Sequence, residues 1–233
     1  MIVSHLHRFI LLKTQKTGGT SVELALSQIC GPDDVITPLT EDDEKLRGAV
    51  KAQNYLIPPA RQAPLAPLLR LLGKRGARAG TEFHEHMNAR DVRRAIGAEV
   101  FDAYLKVTIV RNPWDREVSR YFWATRADPN PPPFDRWVRR TSTRPERKTW
   151  EIYALGDRCI ADVVLRHETL GADFDALLAR LGCPGAVSLP KAKGKFRPLR
   201  TYREFYTPET QAIVARRYAR EIAYFGMTFE GAA

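Results

Sequence analysis

Cysteine is scarce: Cys30, Cys159 and Cys183 are an odd set, with no two close together. That excludes a disulfide framework and a zinc pattern, and it suits a reducing compartment. Long apolar runs are missing too. In the N-terminal MIVSHLHRFILLK the longest uninterrupted apolar stretch is Phe9–Leu12. It is too short for a signal peptide or a membrane span, and no other segment approaches the ~18 apolar residues that a span requires. The chain is therefore expected to be soluble and cytoplasmic. Acidic residues are in short supply: 27 against 37 Lys and Arg, a net charge of +10. Such an excess points toward anionic partners. Arginine and alanine are abundant throughout, so composition alone does not choose among nucleic acid, an acidic membrane surface and a small polyanion. Internal repeats and low-complexity tracts are absent. The 233 residues are read as one α/β domain with decorations.

What is present alternates between strand and helix patterns. Phe9–Leu12 reads as a buried strand. Thr20–Cys30 reads as a helix with Val22, Ala25, Leu26 and Ile29 on one face, stopped by Gly31-Pro32. Asn88–Gly97 reads as a helix capped by Asn88, and Tyr104–Val110 as a strand. Pro113 suits a first helical turn and Asp115 its positive end. Val163–Leu165, Gly171–Leu181 and Thr207–Tyr224 read as strand, helix and last long helix, the last with Thr207 as its cap. This alternation predicts a mainly parallel central sheet with helices on its faces. Residues 58–80 differ in composition: rich in proline, glycine and arginine, with no acid. They read as a basic surface insertion, with contact to a membrane surface or to an acidic acceptor as the alternative.

The stretch Lys16-Thr17-Gly18-Gly19-Thr20-Ser21 joins a buried strand to a helix. Such a junction binds anions, because the first helical N–H groups lack partners and the helix dipole adds positive potential. Gly18 and Gly19 allow close approach of the backbone. Thr17, Thr20 and Ser21 add hydroxyl donors, and Lys16 adds a positive charge. The pattern is not a Walker A loop, whose lysine follows its last glycine. A second anion site is suggested by VRNPWDREVSRY, where Arg111 lies at a strand end and Ser119 two turns into the next helix. Arginine forks onto phosphate and serine adds a donor. Two such sites suggest a ligand with two separated phosphates.

At this point the residues resemble a known family. QKTGGTS resembles the 5′-phosphosulfate loop of sulfotransferases, with Gln15 where proline is usual, and VRNPWDREVSRY resembles their 3′-phosphate motif. The spacing from Arg111 to Ser119 is similar to that of the carbohydrate branch, which includes heparan 2-O-sulfotransferase-like and bacterial enzymes. VVLRHETLGADFDALLARLG and the segment from Tyr202 to Phe229 also look like that branch. The resemblance implies a P-loop-like three-layer α/β fold. It implies the donor 3′-phosphoadenosine-5′-phosphosulfate, held by Lys16, Thr17, Gly18, Gly19, Thr20 and Ser21 at one end and by Arg111 and Ser119 at the other, with no required metal. By the same resemblance, Lys195 and Arg197 in the basic loop LPKAKGKFRPLR close over the nucleotide.

Transfer to a hydroxyl needs a group to take its proton, and histidine suits that task. His5 and His7 lie in the terminal segment, with structural or exposed roles expected. His167 stands where relatives often carry an aromatic residue and reads as core or surface. His84 and His86, in TEFHEHMNARDV, precede a helix start where the carbohydrate branch places its base. His86 fits that place better. His84 would point the same way if the piece is extended, and Glu85 is a third candidate. The expected acceptor is a hydroxyl of a carbohydrate, glycolipid or small alcohol, not nucleic acid. Two other readings compete. One is a nucleotide-dependent small-molecule kinase, which would need magnesium and a Walker B aspartate not apparent here. The other is a non-enzymatic polyanion-binding protein, whose binding would be salt-dependent and indifferent to Lys16.

Overall fold

The computed structural model describes residues 1–62, 81–142, 146, 148–190 and 201–232. Along the chain run β1 (Ile2–Ser4), β2 (Phe9–Leu12), α1 (Gly19–Ser27), β3 (Val35–Ile36), α2 (Glu41–Arg47), α3 (Ala89–Ile96), α4 (Ala98–Ala103) and β4 (Leu105–Val110). There follow α5 (Pro113–Ala124), α6 (Phe134–Thr141), α7 (Lys148–Tyr153), β5 (Ala154–Leu155), β6 (Arg158–Cys159), β7 (Val163–Arg166) and α8 (Leu170–Arg180). The last elements are α9 (Pro208–Arg217), α10 (Ala219–Phe225), β8 (Met227–Thr228) and β9 (Gly231–Ala232). The chain divides into two compact units, Met1–Ile109 with Glu151–Ala192, and Val110–Trp150 with Lys193–Ala233.

The first unit is a mixed α/β layer structure. Its sheet has the order β3-β1-β2-β4-β7. β2 and β4 pair in parallel, while β1 is antiparallel to both β2 and β3. Every side chain of β2 is buried, as expected of a strand covered on both faces. Phe9 and Leu11 face a core with Val22, Ala25 and Leu26 of α1 and Phe174, Leu177 and Leu178 of α8. Each Val, Leu or Phe among them contributes about 1.5–3 kcal/mol on burial.

The N-terminal segment is not peripheral. Ile2 and Val3 are fully buried in β1, and the turn into β2 is tied down by Asp34. That carboxylate accepts from the Ser4 hydroxyl at 2.7 Å and from the backbone N–H of His5 and Leu6. His5 Nδ1 lies 2.9 Å from the Tyr104 hydroxyl, and His7 Nε2 donates to the Ile29 carbonyl at 3.0 Å. Both histidines therefore have structural roles. Of the basic insertion, only residues 58–62 are described: Pro59–Arg61 forms a short 3-10 turn, and Arg61 Nη1 donates to the Ile96 carbonyl.

The second unit packs α5, α6 and α9 around Trp114, Val118, Tyr121, Phe134, Trp137, Val138 and Val214. Buried Glu117 accepts from the Tyr218 hydroxyl at 2.7 Å, from Arg120 at 2.8 Å and from Ser142. The single helix expected over Thr207–Tyr224 is two. Thr207 caps α9 as expected, by accepting from the Thr210 N–H. The helix then breaks at Tyr218, whose backbone leaves helical geometry (φ −109°, ψ 22°). The tyrosine is anchored by its hydroxyl to Glu117 and lies under Arg116, which itself pairs with Glu221 of α10. Among the described residues no helix is long and apolar enough to cross a membrane.

Candidate active site

The loop from Lys13 to Ser21 lies in the first unit, between the end of β2 and the start of α1. Two hydroxyls brace its root. Thr14 Oγ1 donates to the Ile109 carbonyl of β4 at 2.5 Å, and Thr17 Oγ1 donates to the Thr14 carbonyl at 3.1 Å. Lys16 sits at φ +61° and Gly18 at φ +87°, so the chain passes twice through the left-handed region. For lysine that conformation costs roughly 1–2 kcal/mol, and strain of this kind gathers at functional loops. Ser21 and Val22 donate to the Gly18 carbonyl, closing the first turn of α1. The N–H groups of Gly19 and Thr20 lie ahead of that turn, where a helix has no acceptors of its own. The local geometry thus fits an anion cradle.

Both glycines are needed for space. A Cβ on Gly18 would stand 3.0 Å from Leu170 Cδ2 and 3.2 Å from His167 Nδ1. One on Gly19 would stand 2.5 Å from Lys13 Cγ. His167, read from the sequence as core or surface, lies against this loop: its Nδ1 donates to the Thr17 carbonyl at 3.1 Å.

Below the loop lies a buried charge cluster that the sequence reading passes over. Lys13 is 1 % exposed and its Nζ is 2.6 Å from Glu23 Oε2 and 2.5 Å from Glu85 Oε2. Glu23, fully buried on α1, also meets the Met1 nitrogen at 2.8 Å, Thr37 Oγ1 at 3.0 Å and Arg47 at 3.5 Å. Burial pushes its carboxyl up, but the Met1 nitrogen and Lys13 outweigh that and hold it at about 2. The sequence does carry a signal for this cluster. A glutamate between Val22 and Leu24 in an apolar helix must find a cation if it is buried.

The histidine segment comes to the same loop. The Thr81 carbonyl accepts from the Ile57 N–H, and the Phe83 N–H donates to Tyr55, which fixes its entry. Asn88 fixes its exit by accepting from the Asp91 N–H as cap of α3. Between these ends the chain turns, with the Met87 N–H donating to the His84 carbonyl. It is not extended there, so His84 and His86 do not share a direction by strand alternation. His84 is exposed. His86 is partly buried, and its Nδ1 donates to the Lys13 carbonyl at 2.9 Å. With its proton on Nδ1, the neutral ring keeps a lone pair on Nε2. Burial lowers the His86 pKa and the nearby Lys13 ammonium lowers it further; the hydrogen bond to the Lys13 carbonyl and the Glu85 carboxylate oppose them.

Arg111 and Ser119 belong to the second unit. Arg111 is buried and its Nε donates to Asp115 Oδ2 at 2.7 Å. Asn112 caps α5 by accepting from the Trp114 N–H, and donates to the Thr228 carbonyl at 2.8 Å. Ser119 is half-buried on α5. Asp115 and Ser119, four residues apart, share one face of α5, while Arg111 lies between the end of β4 and the Asn112 cap and reaches that face through its bond to Asp115. Asp115 orients the arginine as well as favouring the helix start, a role the sequence reading did not assign. Lys195 and Arg197 lie outside the described residues. Among the described residues no three His, Cys, Asp or Glu side chains are gathered as metal ligands.

Comparison with curated proteins and with solved structures gives no match. A family model does match, over nearly the whole chain: that of the sulfotransferase family, on residues 1–228. The span includes the Lys16–Ser21 loop, the His84–His86 turn and the segment from Arg111 to Ser119. The protein is thus a member of the sulfotransferase family.

Proposed function

We propose that the chain, acting as one catalytic domain, moves a sulfuryl group from 3′-phosphoadenosine-5′-phosphosulfate to a hydroxyl of a carbohydrate or glycolipid acceptor. The observation that carries this reading is the Nδ1 hydrogen bond of His86 to Lys13, at the root of the Lys16–Ser21 loop. It sets a ring nitrogen with a free lone pair on the segment tied to the anion cradle. The cradle suits the donor's 5′ end, since no side chain could replace Gly18 or Gly19 without displacing its neighbours. Arg111 and Ser119 are assigned to the 3′-phosphate, with Asp115 holding the guanidinium.

The donor supplies a sulfuryl group whose leaving group is its own phosphate. His86 Nε2 takes the acceptor hydroxyl proton as the acceptor oxygen bonds to sulfur and the bond from sulfur to the phosphate oxygen breaks. The Lys16 ammonium and the Gly19 and Thr20 amides stabilise the charge that appears on that oxygen. A transferring sulfuryl group carries less charge than a phosphoryl group, so these donors are assigned the work that magnesium does in kinases.

The test uses donor labelled in its sulfuryl group and a panel of neutral and acidic oligosaccharides, glycolipids and simple alcohols. Label should move to a sugar-bearing acceptor with wild type and not with His86→Ala. Transfer only to simple alcohols would overturn the acceptor class. Transfer undiminished in His86→Ala would overturn the base.

A further inference from the structure

We propose that Lys13 is a positioning residue for the transfer reaction: through Glu85 and its own carbonyl it fastens the His86 turn to the floor of the anion loop. The inference rests on the reading of His86 as base. Three contacts meet at this lysine. Its ammonium holds Glu85 at 2.5 Å, its carbonyl accepts from His86 Nδ1 at 2.9 Å, and its aliphatic stem is the surface on which Gly19 rests. One residue therefore touches the start of α1, the base and the residue preceding the base.

A purely structural lysine would not need this arrangement. Glu23, fully buried and 2.6 Å away, already supplies Lys13 with a carboxylate. Glu85 keeps 29 % of its side chain exposed and could stay in water at little cost. Its ion pair is therefore redundant for Lys13 and specific for the turn. That turn needs it. From His84 to Met87 the chain has a single backbone hydrogen bond of its own, between strand-like pairing on one side and the α3 cap on the other. The ties of Glu85 and His86 to Lys13 decide where the imidazole points. The charged groups facing it are Lys13, Glu85 and the Met1 nitrogen.

Lys13 itself is a poor target for mutation, because its removal strands Glu23 as a buried charge and threatens the fold. Glu85→Ala and Glu85→Gln test the device instead, in the full-length protein. ¹⁵N NMR of labelled histidine reads the His86 tautomer directly and needs no activity. Wild type should show the proton on Nδ1, Glu85→Ala a mixture of tautomers, and Glu85→Gln, which retains an acceptor for the ammonium, a spectrum near wild type. In transfer assays Glu85→Ala should lose kcat by up to about a hundredfold, the cost of a misplaced catalytic group, with unchanged affinity for 3′,5′-bisphosphoadenosine. Glu85→Gln should recover most of that loss. A wild-type tautomer in Glu85→Ala overturns the positioning role, as does a loss of bisphosphate affinity that matches the loss of kcat. If no variant, wild type included, transfers sulfate, the functional reading fails, and the NMR result still decides whether Lys13 and Glu85 set the imidazole.

Discussion

Replacing Gly19 by alanine should destabilise the protein, whereas the same replacement at Gly171 should stabilise it. Both glycines lie at the start of helices, in α1 and α8. Alanine in a compatible helical position gains about 0.4–1 kcal/mol, chiefly from the unfolded chain. At Gly171 nothing lies within 4 Å of an added Cβ, so that gain should appear undiminished. At Gly19 the new methyl would stand 2.5 Å from Lys13 Cγ and 2.9 Å from Cδ. The stem cannot slide away, because its ammonium is held by Glu23 and Glu85 on opposite elements. Overpacking of this kind costs roughly 1–3 kcal/mol, which leaves Gly19→Ala about 1–2 kcal/mol less stable than wild type once the alanine gain is subtracted. Urea denaturation followed by circular dichroism measures both, as midpoint shifts of opposite sign at unchanged slope. A Gly19→Ala protein as stable as wild type would refute the pinned lysine beneath the loop.

Three further outcomes follow from the same geometry. Lys16→Gly should gain about 1 kcal/mol in the denaturation midpoint by relieving the left-handed backbone at φ +61°, and should abolish transfer. Activity should hold below the usual histidine value of 6.5, since the His86 pKa is lowered in the fold. A kcat/KM profile measures it, and an acid limb above 6.5 would oppose it. The sign for stability is also set. Folded His86 binds protons less readily than unfolded His86, so its neutral burial favours folding at high pH, and that contribution falls as pH drops through 6.5. The fall should vanish in His86→Ala, measured as the pH dependence of the denaturation midpoint.

Local periodicity made much of the fold legible. Phe9–Leu12, the Asn88 cap, Pro113 in the first turn of α5 and Thr207 at the cap of α9 all stand where short-range chemistry places them. The strand–glycine–helix character of Lys16–Ser21 was equally plain, because its parts are adjacent in sequence. Other features required long-range pairing. β1 has three residues, too few to show a period, and is specified by its partners β2 and β3. Lys13 follows a strand, and nothing adjacent to it marks its role; its partners Glu23 and Glu85 are brought to it from elsewhere in the chain. The contact of His167 with Thr17 joins residues 150 positions apart. Tyr218, at the break between α9 and α10, is anchored by Glu117, which lies on another helix.

The most direct measurement is calorimetric titration with 3′,5′-bisphosphoadenosine, without magnesium, on wild type, Lys16→Ala and Arg111→Ala. Parallel titrations use 5′-AMP and ATP with magnesium. The proposed donor assignment predicts that the bisphosphate binds wild type well, that 5′-AMP binds much more weakly, and that each variant loses affinity. Bisphosphate binding that is indifferent to Lys16 and Arg111 would contradict it, as would binding of ATP with magnesium but not of the bisphosphate.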